Sequence, residues 1–407
     1  MPTYVIVGAG LAGAKAAEGL RDNGFEGKII VFGNEDQLPY ERPPLSKDYL
    51  AGEKSLADFT VHPAEWYSEH DIDLRLGTGV QVIDTGGHSV GFDDGRHEHY
   101  DKLLLATGSR ARRLDLLGAD ADGVHVLRTV DDASALLSAV TERSRLAIVG
   151  AGWIGLEVAA VARARGAQVT VVESAELPLL GALGPEVAQV FAALHTDHGV
   201  DLRLNTTVDA VTTTAEGTAS GLRLGDGSTV PADLVLIAVG AEPNIALAEN
   251  AGLALAAGGV AVDESLKTSD DDVYAVGDIA AAQHPLFGGR VRTEHWANAL
   301  KQPAVAVSGM LGNPGSYDEL PYFFTDQYDL GMEYVGHAPK YDAVVFRGDV
   351  DKREFTVFWL DKKKRVLAGM NVNIWEGLDD IKAIIRAGTA IDTDRLSDTE
   401  VPLSELV

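Results

Sequence analysis

The chain of 407 residues contains no cysteine. That excludes disulfides, thiolate metal centres, protein-ligated iron–sulfur clusters and thiol redox chemistry. Basic residues are scarce, 34 Lys and Arg against 61 Asp and Glu. The resulting net charge of -27 disfavours a nucleic-acid partner, because affinity for a phosphate backbone comes largely from neutralising it. Long apolar runs are also missing. The nearest approach, Leu146 to Ala162, is broken by Gly150, Gly152, Gly155 and Glu157 and is shorter than a membrane span. It reads as a buried strand, turn and helix. The first apolar run, Tyr4 to Val7, begins too early for a signal peptide to precede it, so the expected location is cytoplasmic.

What remains is ordinary globular material, with 46% hydrophobic and 23% charged residues and a length suited to roughly two to three domains. The opening segment TYVIVGAGLAGAKAAEGLRDNG sets a β-branched run before Gly8, Gly10 and Gly13, then an Ala-rich stretch and a second apolar run, Lys28 to Phe32. This is the order of a dinucleotide-binding strand–turn–helix–strand unit. Its glycines serve a tight turn, close approach to a pyrophosphate, and close packing of helix on strand. The helix start offers free N–H groups to the phosphates.

The pattern recurs at RLAIVGAGWIGLEVAAVARARGAQVTVVE, with Gly150, Gly152 and Gly155 at the turn and Glu173 ending the second strand. An acid there accepts hydrogen bonds from ribose hydroxyls and repels the extra phosphate of NADP, which points to NADH. In the first copy the ribose partners are expected at Asn34 and Glu35, neither a perfect match. Two such devices in one chain imply two dinucleotides held face to face, naturally FAD and a nicotinamide.

Three further segments, LLLATGSRARR (103–113), AVGAEPN (238–244) and VYAVGDIA (273–280), together with the two glycine turns, resemble the two-dinucleotide-domain flavoprotein disulfide reductase superfamily. Within it, PYERPPLSKDYLAG (39–52), TEHWANALKQ (293–302) and PYFFTDQY (321–328) resemble the FAD- and NADH-dependent ferredoxin reductases. These include the putidaredoxin reductase, rubredoxin reductase and dioxygenase reductase-component types. The resemblance implies an α/β fold of glutathione-reductase-like architecture, with two Rossmann-like dinucleotide-binding domains and a C-terminal α+β domain. It implies an FAD-binding domain from 1–115 and 243–315, an NADH-binding domain at 116–242, and a C-terminal domain at 316–407. Local patterns agree: a hairpin at Leu222 to Val230, β runs at Ala343 to Phe346, Phe355 to Leu360 and Arg365 to Met370, then a helix at Leu378 to Arg386.

The same resemblance implies site residues. Gly8, Gly10, Ala12 and Gly13 approach the FAD pyrophosphate, and Arg42, Pro43, Val80, Ala106, Thr107, Gly108 and Arg128 line the FAD. Asp278 bonds its ribityl chain. Glu294, His295 and Trp296 contact it, although Trp296 equally suits an ordinary core aromatic. Gly150, Gly152, Trp153, Ile154, Gly155, Glu173, Val239 and Gly240 form the NADH site. Lys47 and Glu157 pair beside the flavin ring; the alternative is a surface Lys and a helical Glu in separate ion pairs. With no cysteine to accept electrons from the flavin, they must leave to an external protein or a small oxidant.

The implied function is hydride transfer from NADH to FAD, then single-electron transfer to an iron–sulfur ferredoxin feeding a monooxygenase or Rieske-type oxygenase. The alternatives are a rubredoxin reductase and a slow NADH-responsive sensor resembling apoptosis-inducing factor. An acidic ferredoxin needs a local basic patch on so acidic a protein, expected at Arg290, Arg292, Lys340, Arg347 and Lys362 to Arg365; a solvated hairpin turn is the plain alternative for that last run. The group His97, Glu98, His99 suggests a metal, but along one short strand the three diverge, so no metal site is expected.

Overall fold

A computed structural model describes residues 1–406. Two compact units emerge, each assembled from separated stretches of chain: 1–41, 56–110 and 241–321 in the first, 42–55, 111–240 and 322–407 in the second.

The first unit is organised by a five-stranded parallel sheet in the order Val273–Ala275, Lys102–Leu105, Thr3–Val7, Lys28–Phe32, Ile72–Arg75. Its central strands are nearly continuous apolar runs because both faces are covered; Val5, Ile6, Ile29, Ile30, Leu103 and Leu104 are fully buried. The expected helix spans Leu11–Asp22, and its alanines at 14, 16 and 17 are buried. Small side chains let it lie close to the sheet, and Gly19 faces Val307 of the helix Trp296–Met310. Ahead of that helix stands a four-stranded sheet, Leu255–Ala256, Gly259–Val262, Ala280–His284, Gly289–Val291.

In the second unit the parallel order is Asp201–Arg203, Gln168–Val172, Arg145–Val149, Leu234–Ile237, Val124–His125. The helix Trp153–Ala164 makes the crossover. The hairpin expected at Leu222 to Val230 is formed by antiparallel Ala219–Leu224 and Thr229–Pro231. The C-terminal stretch forms a five-stranded antiparallel sheet, Tyr322–Gln327, Leu330–Gly336, Val366–Val372, Glu354–Leu360, Ala343–Asp349. Helix Leu378–Ala387 packs on it, with Ile381 against Gly369.

The short stretch 42–55 also belongs to this second unit. It folds as a tight turn, Pro43–Ser46, and a single helical turn, Asp48–Ala51. Tyr49 Oη lies 2.7 Å from Ser134 Oγ, and Arg165 donates to Leu50 O at 3.3 Å.

Candidate functional site

In the first unit the glycine turn is sterically enforced. Gly8 has φ +118, and a Cβ there would lie 2.1 Å from Ala106 O. One on Gly13 would lie 1.9 Å from Gly8 O. A Cβ on Gly10 would meet nothing within 4 Å, so two glycines close the packing and the third faces open space. The helix behind it carries no side-chain cap and no acid in its first turn. Its free N–H groups point where an anion would sit. Around this turn, Thr107 Oγ1 donates to Asn244 O at 2.8 Å and Asn244 N donates to Gly108 O at 2.8 Å. Gly277, next to buried Asp278, lies against Ala12 and donates to Gln302 Oε1 at 2.7 Å. Val80 is buried. Trp296 Nε1 donates to Glu41 Oε2 at 3.1 Å, and exposed Glu294 pairs with Arg292 at 2.5 Å. Helix Trp296–Met310 begins directly after His295.

The second turn repeats the geometry. A Cβ on Gly150 would meet Ala238 O at 2.5 Å, one on Gly155 would meet Gly150 O at 2.3 Å, and those on Gly152 and Gly240 would meet nothing. Glu173 accepts from Ala151 N at 2.8 Å and from Ala175 N at 2.9 Å, which fixes its carboxylate beside the turn. Half-buried Val239 lies on the stretch that closes over Gly150. Trp153 packs edge-on to Phe323 at 4.8 Å, and Ile154 is exposed. In both copies the residue following the second strand can be matched, because Gly8 N donates to Phe32 O and Gly150 N to Val172 O, each at 2.8 Å. The place of Glu173 is thus taken in the first copy by Gly33, whose Cβ would lie 2.5 Å from that of Ala9. No acid fits there, and the nearest candidates follow it. Glu35 accepts from Tyr40 Oη at 2.5 Å, and Asn34 Oδ1 points at Gly79.

Lys47 and Glu157 meet within the second unit, Nζ to Oε1 at 2.9 Å, with side chains 13% and 4% exposed. Ser46 Oγ and Thr325 Oγ1 donate to the same carboxylate, and Lys47 Nζ stands 5.3 Å from the centre of the Phe324 ring. Arg42, at the start of the turn containing Pro43, donates to Arg128 O. Beyond Thr325 lie Gln327 and His195: Gln327 Nε2 donates to Thr325 Oγ1 at 3.2 Å, and His195 Nε2 lies 2.8 Å from Gln327 Oε1. Sequence reasoning missed Ser46, Thr325, Gln327 and His195 as site residues; Ser46 lies within PYERPPLSKDYLAG and Thr325 and Gln327 within PYFFTDQY, segments that carry the resemblance, whereas His195 has no such signal.

A family model for pyridine nucleotide-disulphide oxidoreductases matches residues 2–303, and one described as reductase C-terminal matches 322–407. The chain belongs to the pyridine nucleotide-disulphide oxidoreductase family. Among its relatives, a 5,5'-dehydrodivanillate O-demethylase ferredoxin reductase subunit from Sphingobium sp. is 41% identical, covering 100% of this chain and 99% of the relative. The ferredoxin–NAD(+) reductase component of an anthranilate 1,2-dioxygenase system from Burkholderia cepacia is 39% identical, over 98% of each chain. The reductase in a covalent putidaredoxin reductase–putidaredoxin complex superposes with a TM-score of 0.96 at 36% identity, covering 99% of this chain and 97% of that one. Membership sharpens the meaning of the missing cysteine: this member of a disulphide oxidoreductase family has no disulphide of its own to reduce.

As a member of this family the chain shows two turns that fit pyrophosphates, each pairing an open glycine with an uncapped helix start. The expected basic patch fares differently. Arg290 donates to the carbonyls of Val262 and Ala281, Arg292 to those of Ala257 and Asp278, and Arg347 to four carbonyls between Leu396 and Val401. These guanidiniums tie chain segments together, so reversing their charge would disturb structure as well as any surface. Lys340, Lys362, Lys363 and Lys364 are exposed, and none has an ion pair among the described residues. His97–His99 is a strand as expected, and Glu98 pairs with Lys28 at 3.2 Å and Arg75 at 3.0 Å. Among the described residues no cluster is arranged to hold a metal, and no helix is long and apolar enough to cross a membrane.

His195 is fully buried, and burial pushes its imidazole down from 6.5 to about 4, outweighing the Gln327 hydrogen bond that acts the other way. Below pH 6.5 the unfolded chain takes up a proton that the native histidine refuses, so stability falls as pH drops from 6.5 towards 4 and levels off below that. The full loss is on the order of 3 kcal/mol. The stability advantage of the native protein over His195→Gln, measured by urea unfolding, should shrink across that window. A constant difference between pH 7 and pH 4 would show that the histidine titrates normally.

Proposed function

We infer that this chain is an NADH-dependent, FAD-containing ferredoxin reductase that supplies electrons to an oxygenase system. The carrying observation is the pair of glycine turns, each closed by backbone approach and open at one glycine, in a chain without cysteine. When bound, FAD supplies the chemistry that accepts a hydride and releases electrons one at a time. The chain's own work is alignment and electrostatics. Gly8, Gly10, Ala12 and Gly13 hold the FAD pyrophosphate, with Asn34 and Glu35 towards its ribose. Arg42, Pro43, Val80, Ala106, Thr107, Gly108, Arg128, Asp278, Glu294, His295 and Trp296 line the rest.

Gly150, Gly152, Trp153, Ile154, Gly155, Val239 and Gly240 receive NADH, and Glu173 accepts from its adenosine ribose. Lys47, held by Glu157, sets a positive charge beside the flavin ring, where reduction adds negative charge. The domain reading that goes with this is FAD-binding at 1–115 and 243–315, NADH-binding at 116–242, and a C-terminal domain at 316–407. Family matches ending at 303 and beginning at 322 support its last boundary. We place the protein in the cytoplasm, the compartment that supplies NADH.

Anaerobic mixing with NADH should bleach the flavin rapidly, and cytochrome c reduction should then depend on added ferredoxin. Slow bleaching with NADH-dependent dimerisation would point instead to a sensor, and preference for rubredoxin to a rubredoxin reductase. For the docking surface, Lys362→Glu combined with Lys363→Glu should raise the KM for an acidic ferredoxin by about three- to tenfold and flatten its salt dependence. Flavin reduction by NADH should not change. An unaltered KM would remove this turn from the interface.

A further inference from the structure

The Lys47–Glu157 pair is the inner end of a longer buried chain whose outer members have no part in the function described so far. Helix Trp153–Ala164 supplies Glu157, strand Tyr322–Gln327 supplies Thr325 and Gln327, and helix Pro185–Asp197 supplies His195. Thr325 and Gln327 are two apart on a strand and so share one face. All four side chains are almost completely buried.

The direction of every hydrogen bond is dictated by the carboxylate. Glu157 accepts only, so the Thr325 hydroxyl must spend its proton on it. That leaves the Thr325 oxygen to accept from Gln327 Nε2, which orients the amide and turns Gln327 Oε1 towards His195. His195 must therefore carry its proton on Nε2, and its buried Nδ1 meets no hydrogen-bond partner among the described residues.

We propose that Thr325, Gln327 and His195 form a positioning chain that fixes the Glu157 carboxylate and, through it, the Lys47 ammonium. The chain delivers donors one after another in a single sense, from His195 inward. Thr325 shares Oε1 of Glu157 with Lys47 Nζ, while Ser46 takes Oε2. Removing the threonine hydroxyl frees the oxygen that holds the ammonium, and the carboxylate can then rotate. The inference rests on the reading that Lys47 lies beside the flavin, and the test separates the two.

The readout is the midpoint potential of the bound flavin, measured by dye-equilibrated reduction on Thr325→Val, Thr325→Ser and Glu157→Gln. Thr325→Val should disfavour flavin reduction by about tenfold, roughly 30 mV for a two-electron couple, and Thr325→Ser should restore it. A shift with Glu157→Gln but none with Thr325→Val would overturn the positioning chain and leave the Lys47 reading standing. No shift with either would overturn both. Should Thr325→Val fail to fold with flavin, Gln327→Met probes the next link. A smaller shift of the same sign is then expected, and an unmoved potential would overturn the proposal.

Discussion

An alanine at Gly155 is expected to abolish reduction by NADH while leaving a yellow protein that dithionite still bleaches. The added Cβ would lie 2.3 Å from the carbonyl oxygen of Gly150 and 3.3 Å from Ile148 Cγ2. The first of these is backbone, so no side-chain rotation relieves it. The helix Trp153–Ala164 must move away from the strand Arg145–Val149, taking its free N–H groups with it. Misplacement of about 1 Å can cost on the order of a hundredfold in a reaction that depends on alignment, so NADH affinity and the bleaching rate should fall at least that far. The glycine turn at Gly8 to Gly13, proposed above to hold the flavin, belongs to the other unit and keeps its own geometry. Gly152→Ala is the informative companion, because its Cβ would meet no protein atom. It should leave stability unchanged and weaken NADH only by occupying the ligand's space. Normal bleaching of both variants by NADH in stopped flow would mean that this turn does not hold the nicotinamide cofactor.

The second large effect is expected at Glu173. Its two oxygens are fixed by the N–H groups of Ala151 and Ala175, so the negative charge cannot swing away from an approaching phosphate. A like-charge pair at 4 Å costs about 1 kcal/mol in water and about 4 kcal/mol near a protein surface. Glu173→Arg replaces that repulsion by attraction and should shift the NADPH-to-NADH ratio of kcat/KM by roughly a hundredfold or more. It also removes the acceptor for Ala151 N. Glu173→Gln deletes the charge and keeps one of the two acceptors, so that either Ala151 N or Ala175 N loses its partner; it should raise the ratio by about tenfold. If neither variant moves the ratio, the ribose is read elsewhere.

Much of this protein is legible before any coordinates because its chemistry is written in local periodicity. Both strand–turn–helix units, the polar strand His97–His99, the hairpin ending at Pro231 and the C-terminal helix Leu378–Ala387 fall where apolar spacing and turn residues put them. Contacts between distant segments were invisible. Glu157 is 111 residues from Ser46 and 168 from Thr325, and His195 is 132 from Gln327; the segments holding Ser46, Thr325 and Gln327 stand out in the sequence, but their meeting does not. The arginines were half legible for the same reason. Their charge is visible in the sequence, but the carbonyls that occupy Arg290, Arg292 and Arg347 are supplied by the fold. The displaced acid of the first dinucleotide unit was half legible: FGNED shows acidity near the strand end, while the steric reason for glycine at position 33 lies in the Cβ of Ala9.

The reach of the Thr325–Glu157 bond also sets a timetable on the ribosome. The carboxylate and its first partners, Ser46 and Lys47, are made early, whereas Thr325 emerges 168 residues after Glu157. At ordinary elongation rates that delay is about 8 to 34 s. The nascent chain must carry Glu157 through this interval without its last donor, and the buried charge is sealed only when the strand Tyr322–Gln327 arrives.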